Sequence, residues 1–564
     1  MKKNWLSYIF VSVLLSGALT SCSESFLDLK DPNNFTNDNF WRDKADAESA
    51  LAAAYSPIKY QMYGYYGAFD GWLNLNSRGD DIFTILNEEA SMWDIANFQN
   101  SATTGNDPYG ALYSGIQRAN IVLRYIDDIP ASTITESDRS MIKGEVLTLR
   151  AYQYFLLVTN YGPVPLRLIP SNEDEPNKPA ASEEEIWLRI ETDLTAAIND
   201  YNLPSSRPSE QKGRIEKGTA MAMLGKVYAT QHKYDAARDI LKELIDTSYD
   251  HFGQNTGKRY RLMENFAHNF TTEFENNAES LFELQYSSDG NSSWDNESGI
   301  NLGSSLAQFI GPAISGGWAK LMPSAFLVSE FTRETRGVDA TAADSKYDKR
   351  IYASLFFTPS EYGDWVSEEN GWYNGQFYGS IFTMDDLWNG NASKMAGGAP
   401  IFNVSQSTGA QLGKFLLKKY TAYYLQSRSA DSMGNKDGKA NNVRVMRFAE
   451  VLLLYAEACE KTAQTAQANW ALNEIRQRAG LPQRTYAHSE LMNEIEHQCL
   501  LEFFGEGLRF ESMKRWFTTP QILMKFREND KQGAANFKER HKYYPIPSGE
   551  LNNNSAMKQN RLWQ

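Results

Sequence analysis

Residues 442–482 read NVRVMRFAEVLLLYAEACEKTAQTAQANWALNEIRQRAGLP, and the rest of the chain is read outward from them. Val445, Phe448, Ala449, Leu452, Tyr455, Ala456 and Cys459 recur at i, i+3, i+4, i+7, i+10, i+11 and i+14, an apolar stripe along a helix of about four turns. Ala468, Ala471, Leu472, Ile475 and Ala479 repeat the spacing. Arg476 and Arg478 suit the negative end of the helix dipole, and Gly480 with Pro482 is a stop signal. The stretch predicts a helical hairpin, which buries too little by itself and so requires neighbouring helices.

Helical patterns recur on both sides. Residues 43–54, 111–129, 140–161 and 183–201 read as helices, the first closed by Tyr55 and Pro57, the third by Tyr161-Gly-Pro-Val-Pro165. Between Gly218 and Ser248, Leu224, Gly225, Tyr228, Tyr234, Ala237 and Leu241 keep the spacing of a tetratricopeptide repeat, in which small and aromatic residues let two helices pack closely. Leu244 and Tyr249 depart from that pattern. Two long regions break the periodicity. Residues 60–110 and 251–441 are rich in Gly, Asn, Ser and aromatics, and the second holds Trp294, Trp318, Trp365, Trp372 and Trp388, five of the thirteen tryptophans. Irregular regions of this length in a globular chain point to function, and aromatic content at this level argues against disorder.

Three segments of the C-terminal part resemble the signature of the SusD/RagB family: Arg447-Phe-Ala-Glu-Val-Leu-Leu-Leu-Tyr-Ala-Glu-Ala458, Leu472-Asn-x-Ile-Arg-x-Arg-Ala-Gly-Leu-Pro482, and Leu501-Glu-Phe-Phe-Gly-Glu-Gly-x-Arg-Phe510 before Lys514-Arg-Trp516. Phe40-Trp41 with Ala47, Ala50 and Tyr55, the 145–158 segment and Tyr544-Pro-Ile-Pro547 extend the resemblance to both ends. It implies a mainly α, SusD-like fold, with degenerate tetratricopeptide-type helix pairs as scaffold (roughly 40–59, 111–250 and 442–564) and loop regions (roughly 60–110 and 251–441) within one domain spanning 40–564. It further implies a surface lipoprotein that captures nutrients, mostly glycans, beside a SusC-like TonB-dependent outer-membrane transporter.

The N-terminus fits that address. Lys2 and Lys3 precede an apolar run from Trp5 to Leu19 that is short for a membrane span and ends in Leu19-Thr20-Ser21-Cys22, a bacterial lipobox. Residues 1–21 read as a lipoprotein signal, Cys22 as the lipidated residue, and 22–39 as a polar tether. Acyl chains on one cysteine anchor stably, at about 0.8 kcal/mol per buried CH2. That the anchor lies in the outer membrane is implied by the resemblance alone.

A formal net charge of −14 argues against nucleic acid as a partner. Cys459 and Cys499 lie in apolar helical patterns and read as buried thiols, with a disulfide between them left open. The histidines at 232, 251, 268, 488, 497 and 541 form no His-Glu-x-x-His, and no Walker loop, dinucleotide fingerprint or Gly-x-Ser-x-Gly elbow occurs. No cofactor is implied. Asp431, Asn435, Asp437 and Gly438 faintly resemble a calcium loop but miss the EF-hand spacing. Asp80-Asp81 and Glu88-Glu89 are the carboxylate pairs a glycosidase would offer, though adjacent acids usually mark a solvated face.

What remains is a set of aromatic and polar residues. A sugar presents C–H bonds on its faces and hydroxyls at its edge, so its receptor needs flat aromatic platforms with planar polar partners. Trp72, Arg78, Asp80, Trp93 and Asn97 in the first irregular region, and Tyr286, Trp294 and Trp318 in the second, are the candidate ligand contacts. Peptide capture, as in RagB-like members, and a surface glycoside hydrolase are the alternatives.

Overall fold

The computed structural model describes residues 40–63, 75–84, 90–104, 108–287, 303–304, 306–311, 320–334, 347–357, 415–421 and 440–564. The signal, Cys22 and the tether lie outside these residues, as do Trp72, Glu88, Glu89, Trp294, Trp318 and the 431–438 loop. Among the described residues no helix is long and apolar enough to cross a membrane.

Helices α1 (Lys44–Tyr63), α2 (Tyr109–Tyr125), α3 (Glu136–Tyr161), α4 (Glu183–Asn199), α5 (Lys217–Thr230) and α6 (Tyr234–Ser248) pack in sequence against α7 (Phe448–Lys461), α8 (Thr465–Arg478) and α9 (His488–Phe503). The chain is mainly helical. Helix α3 is the spine of the first half: Thr135 caps it, and it is buried along most of its length. A helix buried on most of its faces must have neighbours on several sides, and α1, α2 and α4 supply them. Its buried polar residues fix the crossings. Glu145 accepts from Arg207 at 2.8 Å, Arg214 at 2.6 Å and the Tyr55 hydroxyl at 2.7 Å. Arg150 forks onto Asp193 of α4 at 2.8 and 2.9 Å and reaches Asn120 of α2.

Helices α5 and α6 show why a glycine belongs at 225: a Cβ there would lie 2.4 Å from the Leu241 side chain. Pro57, expected to close the first helix, instead sits inside α1. The hairpin predicted from Val445 is shorter at its start, because Val443–Arg447 is a β-strand (β6) and the helix begins at Phe448. The β-branched Val443 and Val445 favour the extended form, and β2 (Ser280–Leu284) offers an antiparallel edge that continues to the Phe448 N–H, which donates to Glu279 O at 2.8 Å. Within the 251–441 region, Tyr260, Leu262, Phe266, Phe270 and β2 are thus packed into the scaffold, while residues 251–258 are mostly exposed. Cys459 and Cys499 are both free thiols.

The end of β6, the end of α8 and the end of α9 meet around buried charges. Glu502 of α9 accepts from Arg350 at 3.0 Å, Arg447 at 3.0 Å and Arg478. Glu279 accepts from Arg447 and Arg478, and Glu506 from Arg447 and Lys419, both at 2.8 Å. Arg350 also pairs with Asp348 and reaches Gln498. Burial alone would raise the Glu502 carboxyl, yet Arg478, Arg447, Arg350 and Lys419 hold it far below the usual carboxylate range. Removing one partner of such a set strands the others. Glu502→Gln is expected to destabilise the fold by about 3–5 kcal/mol, measured by chemical denaturation; a change under about 1 kcal/mol would show the cluster to be dispensable.

Candidate functional site

Two short ladders mark where the irregular segments leave the scaffold. β1 (Ile82–Thr84) pairs antiparallel with β3 (Leu321–Pro323), Thr84 opposite Leu321. Thr84, the last described residue before the 85–89 segment, and Leu321, just after the 312–319 segment, are therefore held side by side. β4 (Leu355–Phe357) pairs with β5 (Phe415–Leu417), Phe357 opposite Phe415, which closes the 358–414 segment at its base, and β3 packs against β5. The stems of the segments carrying Trp318, Trp365, Trp372 and Trp388 share one neighbourhood. The Ala90–Ala96 helix, which carries Trp93, follows directly and contacts β1.

Of the eight candidate contacts, five can be placed. Trp93 and Asn97 come together on one turn: both are half-buried, and the Asn97 backbone and side-chain amides donate to Trp93 O at 3.0 and 2.8 Å. Trp93 is thus neither fully buried nor fully exposed. The other three are corrected. Arg78 is buried, donates to His541 O at 2.6 Å and Lys542 O at 3.0 Å, and lies between the rings of Phe510 and Tyr544 at 4.2 and 4.3 Å. A guanidinium so enclosed holds the C-terminal segment, not a ligand. Asp80 is fully buried; Arg509 donates to both its oxygens at 2.6 and 3.0 Å, and Asn529 adds a bond at 2.8 Å. Tyr286 is buried beside β2, its N–H donating to Asn442 Oδ1 at 2.8 Å.

The Asp80-Asp81 pair is core and not a solvated face. Its partners Arg509, Asn529 and Lys531 were missed. The available signal was local: Gly79 and Ile82-Phe83 flank the acids with small and apolar residues, and a buried acid needs a cation. Arg509 also stands in the C-terminal motif, Glu506-Gly-x-Arg509. Asp81 lies behind Asp80 with its Oδ1 buried and accepting no hydrogen bond. Burial and the neighbouring Asp80 charge push its carboxyl up to about 7, against the pull of Arg509 and Lys531. Burial likewise lowers the Lys531 ammonium to about 7. Among the described residues no group of His, Cys, Asp and Glu is disposed to hold a metal ion.

A profile of the SusD family matches residues 278–563, and one described as starch-binding associating with outer membrane matches residues 25–229. The chain belongs to the SusD family. It is similar to SusD-like protein P38 of Formosa agariphila, 23% identical over 538 residues covering 92% of each chain. It is also similar in structure to a laminarin-binding SusD-like protein, with TM-score 0.70 and 25% identity over 92% of this chain and 100% of that one. Surface glycan-binding protein A from Bacteroides thetaiotaomicron, solved in complex with laminarihexaose, matches at TM-score 0.70 and 22% identity, covering 92% and 99% of the two chains.

Asp81 gives this SusD-family chain a pH signature. A folded pKa of about 7 against 3.8 means the contribution of this group is full below about 3.8 and is lost as pH rises through about 7. Lys531 acts in the opposite sense above that window, since its folded pKa lies below 10.5. Asp81→Asn should thus gain stability relative to the parent between about pH 5 and pH 8, read as the difference in urea midpoint; an equal difference at both values would show that Asp81 does not titrate there.

Proposed function

We propose that this chain is a non-enzymatic, cell-surface glycan-binding lipoprotein. In this reading Cys22 carries the lipid, the outer membrane holds the anchor, and a SusC-like TonB-dependent transporter receives the captured oligosaccharide. The observation that carries the proposal is the match over nearly the whole chain to a laminarin-binding SusD-like protein. Two features of this chain support it. The β1–β3 and β4–β5 stems pack together, and the helix carrying Trp93 contacts β1; the remaining candidate contacts Trp72, Trp294 and Trp318 lie outside the described residues. Of the two carboxylate pairs that would favour hydrolysis, Asp80-Asp81 is consumed in the core; glycosidase chemistry needs two carboxyl groups open to a substrate and a water.

The test is affinity electrophoresis against laminarin, starch and a panel of plant and microbial polysaccharides, with calorimetry on each that retards the protein. Trp93→Ala and Trp318→Ala are each expected to weaken binding by about 1–2 kcal/mol, roughly five- to thirty-fold in Kd. Unchanged affinity in both variants would remove the proposed platforms. Release of reducing ends would replace capture by hydrolysis, and co-purifying peptides without any glycan binding would favour RagB-like peptide capture.

A further inference from the structure

Residues 529–536 follow the Thr519–Glu528 helix, and Asn529, Lys531, Gln532, Gly533 and Asn536 each meet the 76–98 segment. Asn529 donates to Asp80 at 2.8 Å. Lys531 Nζ donates to Ser77 O at 2.8 Å and to Ala96 O at 3.2 Å, the latter at the C-terminal end of the helix that carries Trp93. A cation there satisfies a carbonyl that the helix leaves open and meets the negative end of its dipole. Gln532 treats Thr84 as a strand would: its Oε1 accepts from the Thr84 N–H at 3.0 Å and hydroxyl at 2.9 Å, and its Nε2 donates to Thr84 O at 3.4 Å. Gly533, at φ +74°, brings backbone against backbone, since a Cβ there would lie 2.4 Å from Asn97 Cα. Asn536 donates to Asn97 O at 3.0 Å, and Phe537 closes edge-on against Phe98 at 4.9 Å.

These bonds are directed at backbone groups on both sides of the 85–89 segment: Thr84 before it, Ala96 and Asn97 after it. The same Thr84 is opposite Leu321, which follows the segment containing Trp318. Most of the strap's side chains are only partly buried, so they add little to the apolar core. Their common effect is to fix where the Trp93 helix sits relative to the β1–β3 ladder.

We infer that residues 529–536 are a positioning strap, in which Gln532, Lys531 and Asn536 set the orientation of the Trp93-bearing helix against the β1–β3 ladder and thereby the affinity of the ligand face. This rests on the glycan-capture reading for its consequence and on geometry alone for the strap itself. Gln532 and Asn536 are positioning residues that touch no ligand. A platform displaced by one ångström loses stacking without loss of fold.

The experiment compares the full, detergent-solubilised chain with Gln532→Ala, Gln532→Glu and Asn536→Ala by hydrogen exchange and by calorimetry with laminarin. Gln532→Glu keeps the acceptor for Thr84 and is the conservative control. In Gln532→Ala, exchange across residues 82–98 should rise about tenfold while α3 and α7 stay at the parent rate, and laminarin affinity should fall about tenfold. Gln532→Glu, which keeps the acceptor for the Thr84 N–H and hydroxyl but loses the Nε2 donor to Thr84 O, should recover part of both. Parent-like exchange at 82–98 in Gln532→Ala and Asn536→Ala would overturn the strap, as would acceleration spread evenly over the chain, which marks a merely structural role. Faster local exchange with unchanged laminarin affinity would overturn its link to binding. Should the parent itself bind no laminarin or other glycan, the capture reading falls, and the exchange arm still decides the strap.

Discussion

The fold depends on charge neutrality inside the C-terminal half. Arg350, Lys419, Arg447 and Arg478 meet Glu279, Asp348, Glu502 and Glu506 with almost no solvent access, and each cation reaches an anion contributed by another element or an immediate neighbour. Isolated buried charges are costly, and a pair is tolerated only when geometry and further hydrogen bonds complete it. The cluster meets that condition by adding backbone acceptors, as where Lys419 and Arg447 donate to Glu502 O. Because the members come from residues near 279, 350, 419, 447, 478 and 502, they are complete only when all those strands and helix ends have arrived. An apolar core tolerates sliding of one helix against another; this arrangement does not.

The same condition explains where the sequence could be read and where it could not. The stripe from Phe448 to Cys459 and the spacing from Leu224 to Leu241 report burial on one helix face, a property encoded within a dozen or so residues. Helix starts were equally local, as with Ser182 and Glu185 closing a capping box ahead of α4. Val443–Arg447 was read into the following helix because Val445 and Phe448 happen to satisfy its period. What decides for the strand is β2, more than 150 positions earlier in the chain, and its edge is invisible from the segment itself.

Arg78 and Asp80 show the harder limit. A planar cation and a carboxylate among aromatics and glycines describe a sugar contact and a core ion site equally well, since both need directed hydrogen bonds in a partly dehydrated place. The discriminating fact is the presence of Arg509, 429 positions away, on Asp80, and of the carbonyls of His541 and Lys542 on Arg78. Trp93 and Asn97 are only half-buried, and the Asn97 side chain bonds to a backbone carbonyl rather than to a charged partner of this kind. Residue type set the chemistry available; the distant partner decided which use was made of it.

The division between stems and segments has a consequence for how such a protein varies. Closing a flexible loop scales as about (3/2)RT ln n, so doubling its length costs only about 0.6 kcal/mol, provided that its ends are already fixed. Here the Phe357–Phe415 pairing fixes both ends of the 358–414 segment, and β3 packs against β5 beside it. A change of length between Phe357 and Phe415 therefore starts from ends that the scaffold already holds together, and its cost is the small logarithmic term rather than the closure itself.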